Sequence, residues 1–270
     1  MAVPYAEVIG DPIAHSKSPM IHRFWLNALK LPGEYRAVHV RPDELARYFD
    51  NRRNDPVWRG CNITVPHKET ALAHVPDPGG MKASIGAINT VFRDEAGAPA
   101  GTNTDAAGFW SPISALDLAD KPVVVIGAGG AARAVLFALS RVKVGAVTIL
   151  NRTPLKAAAL LAAFGLKGEM LPLDAALPPA ALLINASTLG MVGQPPLALD
   201  LSPLPDDALV YDLVYAPLQT ELLLAAELRG LETIDGLEML IGQAALAFEL
   251  FFGATPPRDC DDELRALLTA

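Results

Sequence analysis

The run Gly127-Ala128-Gly129-Gly130-Ala131-Ala132 places small residues in the spacing G-x-G-x-x-A. It follows four β-branched residues, Val123–Ile126, and precedes a helical pattern over Gly130–Ser140. Strand, turn and helix in that order are the context that a dinucleotide-binding turn needs. Gly127 suits the tight turn, Gly129 leaves room for a pyrophosphate against the backbone, and Ala132 lets helix and strand approach closely. The helix start adds N–H donors and a positive dipole end. No Gly-Lys-Ser/Thr closes the loop, which argues against a nucleoside triphosphate. The next apolar run, 146–150, ends in Asn151-Arg152-Thr153, with Lys156 one turn on. A carboxylate in that place would bind the ribose 2′-hydroxyl of NAD, and none is present. A guanidinium is planar, always charged and multidentate, so it suits a 2′-phosphate. NADP is therefore favoured over NAD. The competing reading has Asn151 and Thr153 capping the helix that starts at Pro154, with Arg152 in solvent.

Four polar clusters sit at the ends of expected strands: His15-Ser16-Lys17-Ser18-Pro19, Asn62-Ile63-Thr64-Val65-Pro66-His67-Lys68, Gly86-Ala87-Ile88-Asn89-Thr90 and Gly101-Thr102-Asn103-Thr104-Asp105. Two hydroxyls at i and i+2, Ser16 and Ser18, can both donate to one carboxylate, although Ser18 before Pro19 also suits an ordinary cap. Asn62 and Thr64 would share one face of a strand. A helix over 66–73 would put Lys68 in its first turn, where a cation opposes the dipole, so a chemical role is favoured over a structural one. Asp105 suits a helix start, where a carboxylate contributes about 0.3–1 kcal/mol. Near the chain's end, Val214-Tyr215-Ala216-Pro217 and Gln243 on an otherwise apolar helix complete the set; a lone Gln there is more often a satisfied boundary amide.

These residues must be held by alternating short apolar runs and helical stretches, which is the α/β pattern with largely parallel sheets. Strands are expected over 5–9, 35–40, 60–64, 87–93, 98–102, 123–126, 146–150, 182–185, 209–213 and 232–234. Helices are expected over 19–29, 42–49, 66–73, 105–116, 130–140, 154–164, 218–228, 236–251 and 259–268. Asp94-Glu95-Ala96-Gly97 reads as a hairpin turn, and the Pro-rich stretches near 172–179 and 194–205 as loops.

Composition narrows the class. The 270 residues carry 22 basic against 30 acidic side chains, a net charge of −8, with 51% hydrophobic residues. The chain is too apolar to be disordered and lacks the basic footprint of a nucleic-acid binder. Two cysteines, Cys61 and Cys260, cannot staple a disulfide scaffold, and no ligand-spaced cluster suggests a metal. The N-terminus has no basic segment before an apolar one, and the longest apolar window is broken by glycines and Arg133, so neither a signal peptide nor a membrane span is expected. A cytoplasmic enzyme is the expectation.

Taken in order, the motifs resemble the shikimate dehydrogenase family: the serine, lysine, Ile85–Thr90 and Asp105 clusters, the glycine turn, Asn151-Arg152-Thr153, Asn185-Ala186-Ser187-Thr188-Leu189-Gly190-Met191, and the closing stretch 236–244. The resemblance covers nearly the whole chain. It implies NADPH-dependent, reversible reduction of 3-dehydroshikimate to shikimate in aromatic amino-acid biosynthesis, with a quinate/shikimate enzyme of relaxed substrate or NAD use as the alternative. It implies a substrate domain of 1–104 and 238–270 with a mainly parallel sheet, a Rossmann-like NADP domain of 105–237, and C-terminal helices that return to the first domain. A monomer or homodimer acting on a small molecule would follow. By position, Lys68 and Asp105 match the catalytic pair. Ser16, Ser18 and Tyr215 match contacts to the substrate carboxylate, and Asn62, Thr64, Asn89, Asp105 and Gln243 match contacts to ring hydroxyls. Gly127, Ala128, Gly129, Gly130, Ala131 and Ala132 match the pyrophosphate loop, and Asn151, Arg152, Thr153 and Lys156 the adenosine phosphate site. Thr188, Leu213, Gly236 and Met239 match residues around the nicotinamide. One departure is Arg23 after His22, where the family often has Asn. His67 and Cys61 are expected to serve the fold.

Overall fold

The computed structural model describes residues 3–270, which divide into two compact units. One unit is the chain up to Thr104 together with Leu240–Ala270; the other is Asp105–Met239. The first unit opens with β1 (Tyr5–Gly10), α1 (Ser18–Ala28) and β2 (Glu34–His39), then a single turn of 3₁₀ helix running into α2 (Leu45–Arg53). It continues with β3 (Trp58–Ile63), a 3₁₀ turn (Thr70–Ala73), the short α3 (Met81–Ser84), β4 (Thr90–Arg93) and β5 (Pro99–Thr102). The second unit contains α4 (Asp105–Trp110), β6 (Val123–Ile126), α5 (Gly130–Ser140), β7 (Val147–Leu150), α6 (Pro154–Phe164) and β8 (Gly168–Leu171). After these come β9 (Leu182–Asn185), β10 (Leu209–Asp212), α7 (Glu221–Leu228) and β11 (Glu232–Ile234). The chain closes with α8 (Gly236–Phe252) and α9 (Asp261–Thr269).

The first sheet has the order β2-β1-β3-β4-β5. Its pairings are parallel between β1 and both β2 and β3, and antiparallel across β3, β4 and β5, so the expected hairpin makes the sheet mixed. The turn forms as its residues dictate: Asp94 and Ala98 exchange backbone and side-chain bonds, and Gly97 takes φ +78°. Along β1, Tyr5 and Ile9 join a cluster with Trp58, Ile63 and Val91, while Ala6 and Val8 pack with Tyr35, Ala247 and Phe251 on the other face. Glu7 shares the face of Tyr5 and is fully buried. Arg52 answers it with two bonds of 2.8 and 3.0 Å, and the Tyr48 hydroxyl donates a third of 2.8 Å. Burying a carboxylate costs several kcal/mol unless it is paired and hydrogen-bonded in this way.

The second sheet has the order β11-β10-β9-β6-β7-β8, and each pairing is parallel. Its central strands are buried on both faces, as parallel strands covered by helices must be. Val123, Val125, Val147, Ile149, Leu182 and Ile184 join one core with α5 and α6. Val124, Ile126, Leu150 and Leu183 join the other with α7.

The structure departs from the expected elements in several places: the strand expected over 87–93 begins only at Thr90, and the helix expected over 105–116 is α-helix only to Trp110, with a 3₁₀ turn at Ser111–Ile113 after it. No α-helix forms over 66–73; a turn leads into the 3₁₀ residues Thr70–Ala73. The stretch lies between Pro66 and Pro76, and the residue before a proline disfavours helical dihedrals, which limits the run at its far end. The dipole argument for Lys68 therefore does not hold. Strand β3 stops at Ile63, so Thr64 lies just past it. Strand β8, absent from the expectation, is an exposed edge segment without alternation.

His22 is completely buried and stacks face to face on Tyr35 at 3.9 Å, with Trp25, Phe248 and Phe251 around it. Burial pushes its pKa from 6.5 down to about 3, with the nearby Asn62 amide offsetting part of the effect. The folded imidazole thus stays neutral while the unfolded one takes up a proton below 6.5, so stability falls as pH falls from 6.5 towards 3. Between pH 6.5 and 4.5 this contributes a loss of about 2–3 kcal/mol. In His22→Phe that part of the loss should vanish from urea unfolding curves taken across the range. An unchanged pH slope would contradict the assignment.

Candidate functional site

In the first unit, the Asn89 amide draws together residues from separate stretches of chain. It lies 2% exposed after the Gly86 turn. Its Oδ1 accepts from the Thr104 backbone N–H at 2.7 Å, and its Nδ2 donates to Thr104 Oγ1 at 2.9 Å and to Gln243 Oε1 at 3.2 Å. Gln243, on α8, is thus both the satisfied amide expected on an apolar helix and a member of this group. Its Nε2 is held by the Leu240 carbonyl at 2.8 Å. Asn62 joins through Thr90: Asn62 Nδ2 donates to Thr90 Oγ1 at 3.0 Å, and Thr90 Oγ1 donates to Asn89 Oδ1 at 3.2 Å. The Tyr35 hydroxyl donates to Asn62 Oδ1 at 2.6 Å, which fixes which way that amide points. Buried amides and hydroxyls linked in this manner form a rigid polar floor.

Lys68 enters the same neighbourhood through its backbone, since Ile88 N–H donates to the Lys68 carbonyl at 2.8 Å, one residue before Asn89. The turn that carries it is anchored by His67, whose Nε2 lies 2.6 Å from the Val40 carbonyl in a fully buried site. His67 therefore serves the fold. Thr64 is tied to β1 by its N–H to the Ile9 carbonyl, and its methyl covers Gly10, where a Cβ would stand 2.5 Å away. In the serine motif, Ser16 Oγ accepts from Ser18 N–H at 3.4 Å, and Ser18 begins α1 almost fully buried. Lys17 between them donates to the Leu268 carbonyl at the end of α9. Arg23 donates to the Tyr35 carbonyl at 2.9 Å, tying α1 to β2, so the departure at this position is a packing contact. Cys61 is buried within β3, and desolvation drives its thiol pKa well up. A thiol held protonated in that way is inert.

In the second unit, the strands end in register. Ile126 pairs with Leu150 and with Asn185, and Asn185 pairs with Asp212. The residues that follow, Gly127, Asn151, Ala186 and Leu213, each continue the ladder by one bond before their loops leave the sheet. The carboxyl edge of an open parallel sheet is where such folds bind ligands. Gly127 has φ +102°, and a Cβ on it would lie 3.0 Å from the Ala186 carbonyl and the Ser187 N–H. Gly129, the cap of α5, has φ −94°, and a Cβ there would meet nothing within 4 Å. The protein itself does not require glycine at 129; the space its Cβ would take is open to a ligand. Ala132 is buried against the sheet, while Gly130 and Ala131 are partly exposed.

Arg152 and Thr153 are exposed after β7 and Lys156 is exposed in the first turn of α6, and Asn151 Nδ2 donates to the Thr153 carbonyl at 2.9 Å. Thr153 makes no side-chain capping bond, so its hydroxyl does not serve the start of α6. Thr188 is exposed on the loop after β9, Leu213 is partly buried after β10, and Met239 is buried in the core of this unit. Gly236 packs its Cα on the Leu213 and Val214 carbonyls. Tyr215 is half-buried, with its phenol pKa raised by desolvation, and Asp105 is buried at the first position of α4. Among the described residues no group of three or more His, Cys, Asp or Glu could hold a metal ion. Tyr35, Thr90, Asn185, Asp212 and Thr220 carry weight that sequence reasoning did not assign. Each has a partner on another element, and only the strand-end position of Asn185 and Asp212 offers a signal.

Strand order and glycine turn define a Rossmann-type dinucleotide unit. Three family models match the chain: the shikimate dehydrogenase substrate binding domain over residues 8–91, shikimate / quinate 5-dehydrogenase over 112–187, and the shikimate 5′-dehydrogenase C-terminal domain over 236–262. A shikimate dehydrogenase (NADP(+)) of Sphingopyxis alaskensis is 68% identical over 269 residues, covering 100% of this chain and 98% of its own. The structure of shikimate 5-dehydrogenase from Thermus thermophilus in complex with NADP(H) and shikimate has a TM-score of 0.84 at 39% identity, covering 98% of this chain and 99% of that one. Quinate dehydrogenase from Corynebacterium glutamicum in complex with NAD has a TM-score of 0.83 at 30% identity, with 98% and 99% covered. The chain belongs to the shikimate dehydrogenase family.

The two glycines of the turn should separate by experiment. Gly127→Ala is expected to lower stability by about 1–3 kcal/mol through backbone strain and contact with the Ala186 loop. Gly129→Ala should leave chemical unfolding within about 0.5 kcal/mol of wild type. It should nonetheless weaken dinucleotide binding at least tenfold in a fluorescence titration. Equal effects of the two on stability would contradict the assignment.

Proposed function

We propose that this chain is an NADP-dependent shikimate dehydrogenase that interconverts 3-dehydroshikimate and shikimate. The observation that carries the reading is the company Lys68 keeps. Its backbone is bonded to Ile88, and the next residue, Asn89, gathers amide and hydroxyl groups from Thr104, Gln243 and, through Thr90, Asn62. A lysine beside a rigid set of neutral hydrogen-bonding groups suits a small ring that carries both a ketone and hydroxyls.

The residues at the edge of the second sheet fit NADP. Gly127 through Ala132 would hold the pyrophosphate; Asn151, Arg152, Thr153 and Lys156 would hold the 2′-phosphate and adenosine; Thr188, Leu213, Gly236 and Met239 would flank the nicotinamide. When bound, the cofactor supplies the hydride for ketone reduction. Negative charge develops on the ketone oxygen during that step. The Lys68 ammonium stabilises this charge and gives the oxygen its proton. Asp105 orients the amine and accepts from a ring hydroxyl. Ser16, Ser18 and Tyr215 donate to the substrate carboxylate, and Thr64, Asn89, Gln243 and Asn62 read the hydroxyls. The chain up to Thr104 with its last helices then serves the substrate, and the middle unit serves the cofactor.

The test is NADPH oxidation with 3-dehydroshikimate. Lys68→Ala should lose about 10²–10⁴-fold in kcat while still binding cofactor, the range typical of a positioned acid or base. Arg152→Ala should raise the KM for NADPH about tenfold or more, as loss of a charge-assisted bond would, and leave use of NADH unchanged. Full activity in Lys68→Ala would overturn the catalytic role. Comparable rates on quinate with NAD would favour the quinate enzyme instead.

A further inference from the structure

Asp212 ends β10 and is completely buried, with its carboxylate turned to three donors. Asn185 Nδ2 reaches Oδ1 at 2.8 Å, Val214 N–H reaches the same oxygen at 3.0 Å, and Thr220 Oγ1 reaches Oδ2 at 2.7 Å. Each donor continues into a loop. The Asn185 Nδ2 also donates to the Leu189 carbonyl at 3.0 Å, and its Oδ1 accepts from Ser187 N–H at 3.1 Å and Ser187 Oγ at 2.7 Å. Ser187 Oγ accepts in turn from Leu189 N–H at 3.1 Å. These bonds bracket Thr188 on both sides. Val214 lies between Leu213 and Tyr215, so its bond fixes the chain where both side chains leave it. Thr220 caps α7, accepting from Leu223 N–H at 3.3 Å, and anchors the far end of the same loop. The two loops are also joined directly, since Val192 N–H donates to the Ala216 carbonyl at 2.8 Å.

We propose that Asp212 is a positioning residue for the nicotinamide end of the cofactor site, acting through the loops that carry Thr188, Leu213 and Tyr215. This rests on the reading of those residues given above. A buried carboxylate is a costly way merely to finish a strand. What it supplies is acceptor capacity without a donor, so three N–H and O–H groups can converge on it at once. A Leu of similar size offers no acceptor, so all three branches are lost, whereas an Asn could still accept from Asn185 and Val214 on its oxygen and donate its NH₂ to the Thr220 hydroxyl. The adenosine site stands apart from these loops, after β7, and should not sense the change.

The experiment compares Asp212→Leu and Thr220→Val with the wild-type chain in shikimate oxidation by NADP. The Leu variant should lose at least tenfold in kcat, with the KM for NADP within twofold of wild type and binding of adenosine 2′,5′-bisphosphate unchanged. Thr220→Val, which cuts only the far anchor, should show the same split to a smaller degree. Hydride transfer should become more rate-limiting, so the isotope effect with deuterated shikimate should rise in both. An unchanged kcat in both variants, or nucleotide affinity falling in step with kcat and thermal stability, overturns the role of Asp212. A wild-type chain inactive on shikimate overturns the underlying reading and this inference with it.

Discussion

The second unit depends on one constraint: four parallel strands stop on the same line. Ile126, Leu150, Asn185 and Asp212 are paired across the sheet, and the next residue of each strand still bonds to its neighbour before turning away. Parallel strands have evenly spaced bonds, so a common register carries straight to the edge. The glycine turn, the Arg152 loop, the Thr188 loop and the Leu213 loop are adjacent because of that register. Gly127 shows how tight the arrangement is, since a single methyl group there would press on the neighbouring loop at Ala186 and Ser187. A site built on strand ends inherits the rigidity of the sheet, which is what a hydride-transfer geometry needs.

The first unit solves a different problem. Its polar groups suit a small neutral pattern rather than a phosphate, and they are amides and hydroxyls that are themselves held by other amides and hydroxyls. The floor around Asn89 has fixed donor and acceptor directions, because each amide has one oxygen and one nitrogen already spoken for. The buried Glu7, with Arg52, belongs to a separate cluster with Tyr48 on the face of the sheet that holds Trp58.

Much of this was legible in the sequence, and the reasons differ by residue. Val123–Ile126 could be read as a buried strand because four β-branched residues end at a glycine. The hairpin at Asp94–Gly97 could be read from its turn residues. Strand β8 could not, because Gly168-Glu169-Met170-Leu171 has no alternation and exists only as an edge paired to β7. Lys68 was reachable by its motif, yet the helix invoked to single it out does not form between Pro66 and Pro76. His22, Tyr35 and Asp212 were invisible because their meaning lies in partners on other elements: a stacked ring, an amide on another strand, a threonine at a helix cap. Local pattern finds elements and turns; only the folded chain shows which buried polar groups answer one another.

The most direct measurement is a crystal structure of the protein with NADP and shikimate bound. The pyrophosphate should lie on the backbone at Gly129, the 2′-phosphate within hydrogen-bonding distance of Arg152, and the nicotinamide against the loops that Asp212 holds. The shikimate hydroxyls should meet Asn89 and Gln243, with the Lys68 amine at the oxygen that is oxidised. A dinucleotide bound away from the Gly127–Ala132 turn, or shikimate held without Lys68, would contradict these assignments.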